Sequence, residues 1–177
     1  GYFEDVSMAW GVAGMKGSFN GAAYADLDND GDVDIIINRL NDKAVLLRND
    51  APKKSSLSIT LKAEGANRFG TGTRIYLFAN GSMQYQQLMP VRGFQSCSEY
   101  RLHVGLDTAT TVDSLVVVWP DQRFEVQRKI LAGKQLVLEQ QQAAGVFDPG
   151  MVIQKKKPHF RDLSDSITLN WKQKKKK

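Results

Sequence analysis

The stretch Asp26-Leu27-Asp28-Asn29-Asp30-Gly31-Asp32-Val33-Asp34 constrains this chain more than any other, because five carboxylates fall on alternate positions of nine residues with one glycine among them. Like charges this close repel one another strongly, and a loop does not accumulate them without a counter-ion. A hard cation with a flexible oxygen shell removes the difficulty, and Ca²⁺ is the usual choice. The spacing also works mechanically. Side chains at loop positions 1, 3 and 5 (Asp26, Asp28 and Asp30) converge on one point, and Gly31 permits the sharp turn. Asp32 at position 7 offers its backbone carbonyl, and Asp34 at position 9 closes the shell. The bland alternative is a solvated acidic turn without a metal.

The same opening begins an EF-hand, D-x-[DN]-x-[DN]-G, but that motif needs a bidentate Glu at loop position 12 and flanking helices. Here position 12 is Ile37, and Val33-Asp34-Ile35-Ile36-Ile37 is a β-branched run that reads as a buried strand. Gly21-Ala22-Ala23-Tyr24-Ala25 before the loop suits a packed strand. The unit is therefore expected to be a strand–Ca loop–strand hairpin.

The remaining chain reads as β throughout. Residues 1–17 carry Gly11, Gly14 and Gly17 and are expected to loop around a short strand, with Trp10 as a packing residue. Ala44–Leu47 is a further strand, and the polar hinge Lys53–Ser56 marks a domain boundary. Leu57-Ser58-Ile59-Thr60-Leu61 alternates apolar and polar. Arg74–Ala79 and Ser82–Leu88 flank the hairpin signal Asn80-Gly81. Strands are expected at Tyr100–Val104, Ser114–Trp119, Phe124–Ile130 and Gln135–Glu139, which together imply an antiparallel β-sandwich or barrel. The one helix candidate is the short Gln140–Ala144.

Charge is unevenly spread. Residues 1–50 hold four Lys/Arg against nine Asp/Glu, residues 51–154 eleven against eight, and residues 155–177 nine against two. The net basicity is thus a property of the C-terminal segment. Lysine tails bind phosphate backbones without specificity, whereas a specific nucleic-acid module sets basic residues beside aromatics on one folded face. Trp171 stands alone among the lysines, so no specific nucleic acid is expected; binding through the basic C-terminal segment is the alternative function. No apolar run reaches the ~20 residues of a membrane span. The opening Gly1-Tyr2-Phe3-Glu4 lacks the basic start and apolar core of a signal peptide and points to a piece of a longer protein.

Other candidate chemistry is weaker. Gly70-Thr71-Gly72 leads into a strand, where a phosphate loop would lead into a helix N-terminus, so a tight turn is expected. Cys97 and His103 would make a thiol–base pair, but six residues of extended strand separate them by ~20 Å. No orienting group is identifiable in the sequence, so the chain is expected not to be an enzyme. Trp119 closes the apolar run Leu115–Val118 and is expected in the core, with sugar stacking as the alternative.

Two resemblances organise these readings. Phe3-Glu4-Asp5-Val6, the span Asn20–Asp34 and Leu47-Arg48-Asn49 together resemble an FG-GAP or VCBS repeat, the blade unit of integrin-type β-propellers. The resemblance implies Ca²⁺ held by the side chains of Asp26, Asp28, Asp30 and Asp34 and by the carbonyl of Asp32. The motifs Gly65–Thr73, Arg92–Ser96, His103–Leu106 and Val112–Asp121 resemble the ASPIC/UnbV domain, which follows such repeats in secreted bacterial proteins and in the cartilage acidic protein group. Gln122 departs from the glycine usual after Trp-Pro-Asp, which puts the turn there in question.

The expected organisation is all-β: a propeller-type calcium-binding repeat at 1–52 and an ASPIC/UnbV β-domain at 57–140. A linker, the start of a truncated further repeat and the Lys-rich tail fill 141–177. The resemblance implies a calcium-stabilised binding or scaffolding module, extracellular or in the cell envelope, with a protein or glycan ligand and the remainder of a larger propeller protein around it. The short hinge favours packing of the repeat on the second domain.

Overall fold

The computed structural model describes residues 2–152 together with Phe160 and Leu163. The described residues up to Phe147 form one compact unit, and those from Asp148 onward fall outside it. Ten β-strands and two short 3₁₀ turns make up the described regular structure, with no α-helix among those residues. No described helix is long and apolar enough to cross a membrane. Apart from Phe160 and Leu163, the further repeat expected from Pro158 and the lysine tail lie outside the described residues.

The first sheet is antiparallel, β1 (Phe19–Ala25), β2 (Asp34–Arg39) and β3 (Val45–Leu47), in that order. Its register pairs Ala25 with Asp34 and Ile36 with both Ala23 and Leu46. The hairpin therefore closes at the two ends of the acidic stretch, as its spacing predicts. Residues before β1 form turns and no strand. Trp10, expected to pack, is 76 % exposed, in a segment held by turn hydrogen bonds of its own, among them its N–H on the Val6 carbonyl at 2.9 Å.

Seven further strands build a two-sheet sandwich, with no closed barrel. One sheet runs in the order β10 (Gln135–Glu139), β4 (Ser55–Lys62), β7 (Arg101–Asp107). The other runs β6 (Ser82–Gln87), β5 (Arg74–Ala79), β8 (Thr111–Val118), β9 (Phe124–Leu131). All pairs are antiparallel except β10 with β4, which is parallel and corrects the purely antiparallel expectation. After β9 the chain crosses to the opposite sheet, and β10 there enters beside β4 in the same direction.

Alternation decides the core. Leu57, Ile59 and Leu61 of β4 and Leu102, Val104 and Leu106 of β7 face Ile75, Leu77, Leu115 and Val117 of the other sheet, all of them buried. Each such side chain contributes roughly 1.5–3 kcal/mol relative to exposure. Trp119 is fully buried within this cluster, so it has no face to offer a sugar. Gly70-Thr71-Gly72 forms a turn, with the Thr73 N–H donating to the Gly70 carbonyl at 3.0 Å before β5 begins. Gln122 takes the conformation a glycine would (φ +70°) and its turn stays closed, with its N–H on the Trp119 carbonyl at 2.9 Å. The Gln140–Ala144 helix candidate shrinks to one 3₁₀ turn at Gln140–Gln142.

The acidic hairpin joins the sandwich along the free edge of β1. Ser98 Oγ accepts the Tyr24 N–H at 3.3 Å, and the Glu99 N–H donates to the Tyr24 carbonyl at 3.4 Å. Gly21 lets the 93–97 loop come close: a Cβ there would stand 2.5 Å from Ser96 Oγ and 2.8 Å from the Phe94 carbonyl oxygen. The faces of the small sheet stay half open, with Leu46 65 % exposed.

Candidate metal centre

The site is the eight-residue turn 26–33 between β1 and the first residue of β2. Its path reverses through Asn29 (φ +58°) and Gly31 (φ +98°), the second of which only glycine adopts without strain. Backbone N–H groups turned inward are met by the loop's own acids. Asp26 Oδ1 accepts from the Asp30 N–H at 3.0 Å and Oδ2 from the Gly31 N–H at 3.2 Å. Asp30 Oδ1 accepts from the Asp32 N–H at 3.2 Å.

This folding brings Asp26, Asp28 and Asp30 together, with one carboxylate oxygen from each within 4.8 Å of the others. Asp34 is placed differently. It is 3 % exposed, with Oδ2 on the Leu27 N–H at 3.0 Å and Oδ1 on the Asn49 N–H at 2.9 Å. Both oxygens tie the base of the loop to itself and to the end of β3. Asp32 Oδ1 is buried with no hydrogen-bond partner among the described residues. Burial first, and then the charges of Asp30, Asp34 and Asp28, push the Asp32 carboxyl above its ordinary range. The hydrogen bond from the Asp32 N–H, followed by the Lys53 ammonium, lowers that of Asp30.

Three residues that sequence reasoning passes over complete the site. Glu99, just before β7, accepts the Asp26 N–H on Oε1 at 3.0 Å. Arg101 on β7 places Nη1 3.8 Å from Asp26 Oδ2 and Nε 3.6 Å from Glu99 Oε2. Lys53 in the hinge donates to the Asp30 carbonyl at 3.0 Å and stands 3.2 Å from Asp30 Oδ2. None carries a local signal, because each acts across the junction between hairpin and sandwich. Glu99 also meets His103 Nε2 at 2.6 Å, so His103 does have a carboxylate beside it, contrary to the reading of the sequence. The Cys97 thiol instead donates to the Ser98 carbonyl at 3.5 Å.

The donor set is uniformly hard oxygen, with one orphaned buried carboxylate oxygen and an ammonium already resting on a second acid. Such a set fits a hard divalent cation. A cleft of about 800 Å³ lies beside it, bordered by Asp26, Asn29, Asp30, Lys53, Lys54 and Lys134.

No curated protein matches the chain. Residues 63–145, which take in β5 to β10 and leave the acidic loop outside, match the family model described as ASPIC and UnbV, so the greater part of the sandwich carries that domain.

Proposed function

We propose that this chain is a calcium-stabilised binding or scaffolding module of an extracellular or cell-envelope protein. Residues 1–52 serve in it as an FG-GAP/VCBS-type repeat docked on the ASPIC/UnbV sandwich. The observation that carries the reading is the convergence of Asp26, Asp28 and Asp30 within 4.8 Å on a turn whose first residue hydrogen-bonds to Glu99 of the sandwich. Ca²⁺ takes six to eight oxygens. Those three carboxylates would supply the first of them, Asp32 and Asp34 would add carbonyl or carboxylate oxygens, and water would complete the shell. The cation would offset two of the loop's five negative charges and fix the hairpin against the sandwich. The protein or glycan ligand then meets the polar cleft beside the loop, whose lining includes Lys53, Lys54, Lys134 and Ser55.

Calorimetric titration of the whole chain with CaCl₂, together with thermal melts in excess calcium and in excess chelator, tests the reading. Saturable binding with a raised melting temperature supports it. Superimposable melts at millimolar calcium, with no heat of binding, overturn it.

A further inference from the structure

We infer that Lys53 is a built-in counter-cation of the acidic loop, one that a divalent cation must displace, so that this hinge residue sets the loop's cation affinity. The inference rests on the metal reading above and concerns how that same site is regulated.

The Lys53 ammonium already rests on one acid of the loop, 3.0 Å from the Asp30 carbonyl oxygen and 3.2 Å from Asp30 Oδ2. Asp30 is also one of the three converging acids. A Ca²⁺ bound to that carboxylate sits about 2.3–2.6 Å from its oxygens. The same carboxylate would then hold two cations at close range, so ammonium and metal repel one another and compete for it. The second cation at the loop behaves differently. Arg101 reaches Asp26 Oδ2 only at 3.8 Å, its side chain is 23 % exposed, and Glu99 holds it from the sandwich side. Lys53 has no such anchor, and its side chain is 67 % exposed. An exposed flexible stem retracts into water at little cost, whereas the half-buried guanidinium, held by Glu99, stays. Lys53 is therefore the cation that yields. Its neighbour Lys54 is paired with Asp107 at 2.6 Å, so the start of β4 remains held when Lys53 lets go.

Calcium titration calorimetry on the full chain, with Lys53→Gln and Lys53→Arg beside the native protein, tests this. Lys53→Gln removes the competing charge and is expected to bind Ca²⁺ about three- to tenfold more tightly at low salt, an advantage that shrinks as salt screens the loop. Lys53→Arg keeps the charge and should stay within about twofold of the native affinity, since an exposed ion pair changes little on such a swap. Native binding with Lys53→Gln equal or weaker overturns the inference and leaves the metal reading intact. Absence of binding by both native and Lys53→Gln protein overturns the metal reading and the inference with it.

Discussion

Glu99 accepts the backbone N–H of Asp26 on its Oε1 atom at 3.0 Å, a bond that joins the carboxylate of one sheet system to the first acid of another. The same carboxylate faces Arg101 and His103. An acidic loop tied in this way cannot reorder without the sandwich registering it, because Asp26 spends both side-chain oxygens on the turn and its N–H on Glu99.

Glu99→Ala should therefore destabilise the unit even with calcium chelated. A hydrogen bond to a charged acceptor contributes about 1.5–3 kcal/mol, and urea denaturation should show a loss in that range. Glu99→Gln keeps an acceptor for Asp26 and should lose less. Equal midpoints for all three proteins would mean that the bond does not hold the junction.

Asp28 makes the opposite test. It is exposed, as Asp30 is, but unlike Asp26 and Asp30 it accepts no hydrogen bond from the described residues of the loop, so its removal costs no fold contact. With chelator present, Asp28→Ala should melt at or above the native protein, since one repelling charge is gone. With calcium at a hundredfold excess over Kd the native protein should gain about 2.7 kcal/mol, and Asp28→Ala should gain little or none. A full calcium response in the variant would exclude Asp28 from the shell.

Glu125 supplies the pH dependence. It is 8 % exposed on β9, and burial raises its carboxyl above the ordinary 4.5, with Gln127 and the Trp119 indole opposing in part. A folded carboxyl with a raised value holds its proton more firmly than the unfolded one. Its contribution to stability is complete below 4.5 and is lost as pH rises through the folded value. Glu125→Gln should remove that decline and leave the protein more stable at neutral pH. Stability profiles of the two proteins that run parallel above pH 4.5 would refute the assignment.

How far the sequence could go is plain from particular residues. Asn80-Gly81 states its turn outright, and the structure places both at positive φ, +48° and +70°. Alternation in Leu57-Ser58-Ile59-Thr60-Leu61 marks β4 and its buried face, and Gln135–Glu139 is β10 to the residue. Alternation says which face is buried, not which strand lies alongside, so the parallel pairing of β10 with β4 stayed hidden. In the loop, spacing brings out Asp26, Asp28 and Asp30 as a group. It gives no account of Asp34, whose oxygens serve two backbone donors, one of them fifteen residues away at Asn49. Lys53 and Glu99 read as an ordinary hinge lysine and an ordinary polar residue, because their partners are remote in the chain.

Gly21 lets the hairpin seat closely on the sandwich. The β1 register shifts between Phe19 and Ala22, and in that irregularity the backbone of Gly21 lies against the 93–97 loop. A methyl group there would meet Ser96 Oγ at 2.5 Å and the Phe94 carbonyl oxygen at 2.8 Å. The serine hydroxyl can turn aside, but the carbonyl belongs to the backbone and must move with its loop. Gly21→Ala should cost about 1–3 kcal/mol, as overpacking of a close contact does. Amides of Asp34–Ile37 should also exchange faster, since β2 is paired with the displaced β1. Gly105→Ala is the matched control: a Cβ there meets nothing within 4 Å, and alanine suits the interior of β7 better than glycine. The control should be neutral or slightly stabilising. If Gly21→Ala proved as harmless as Gly105→Ala, the close seat of the hairpin on the 93–97 loop would be wrong, and Ser98 and Glu99 alone would hold the edge of β1.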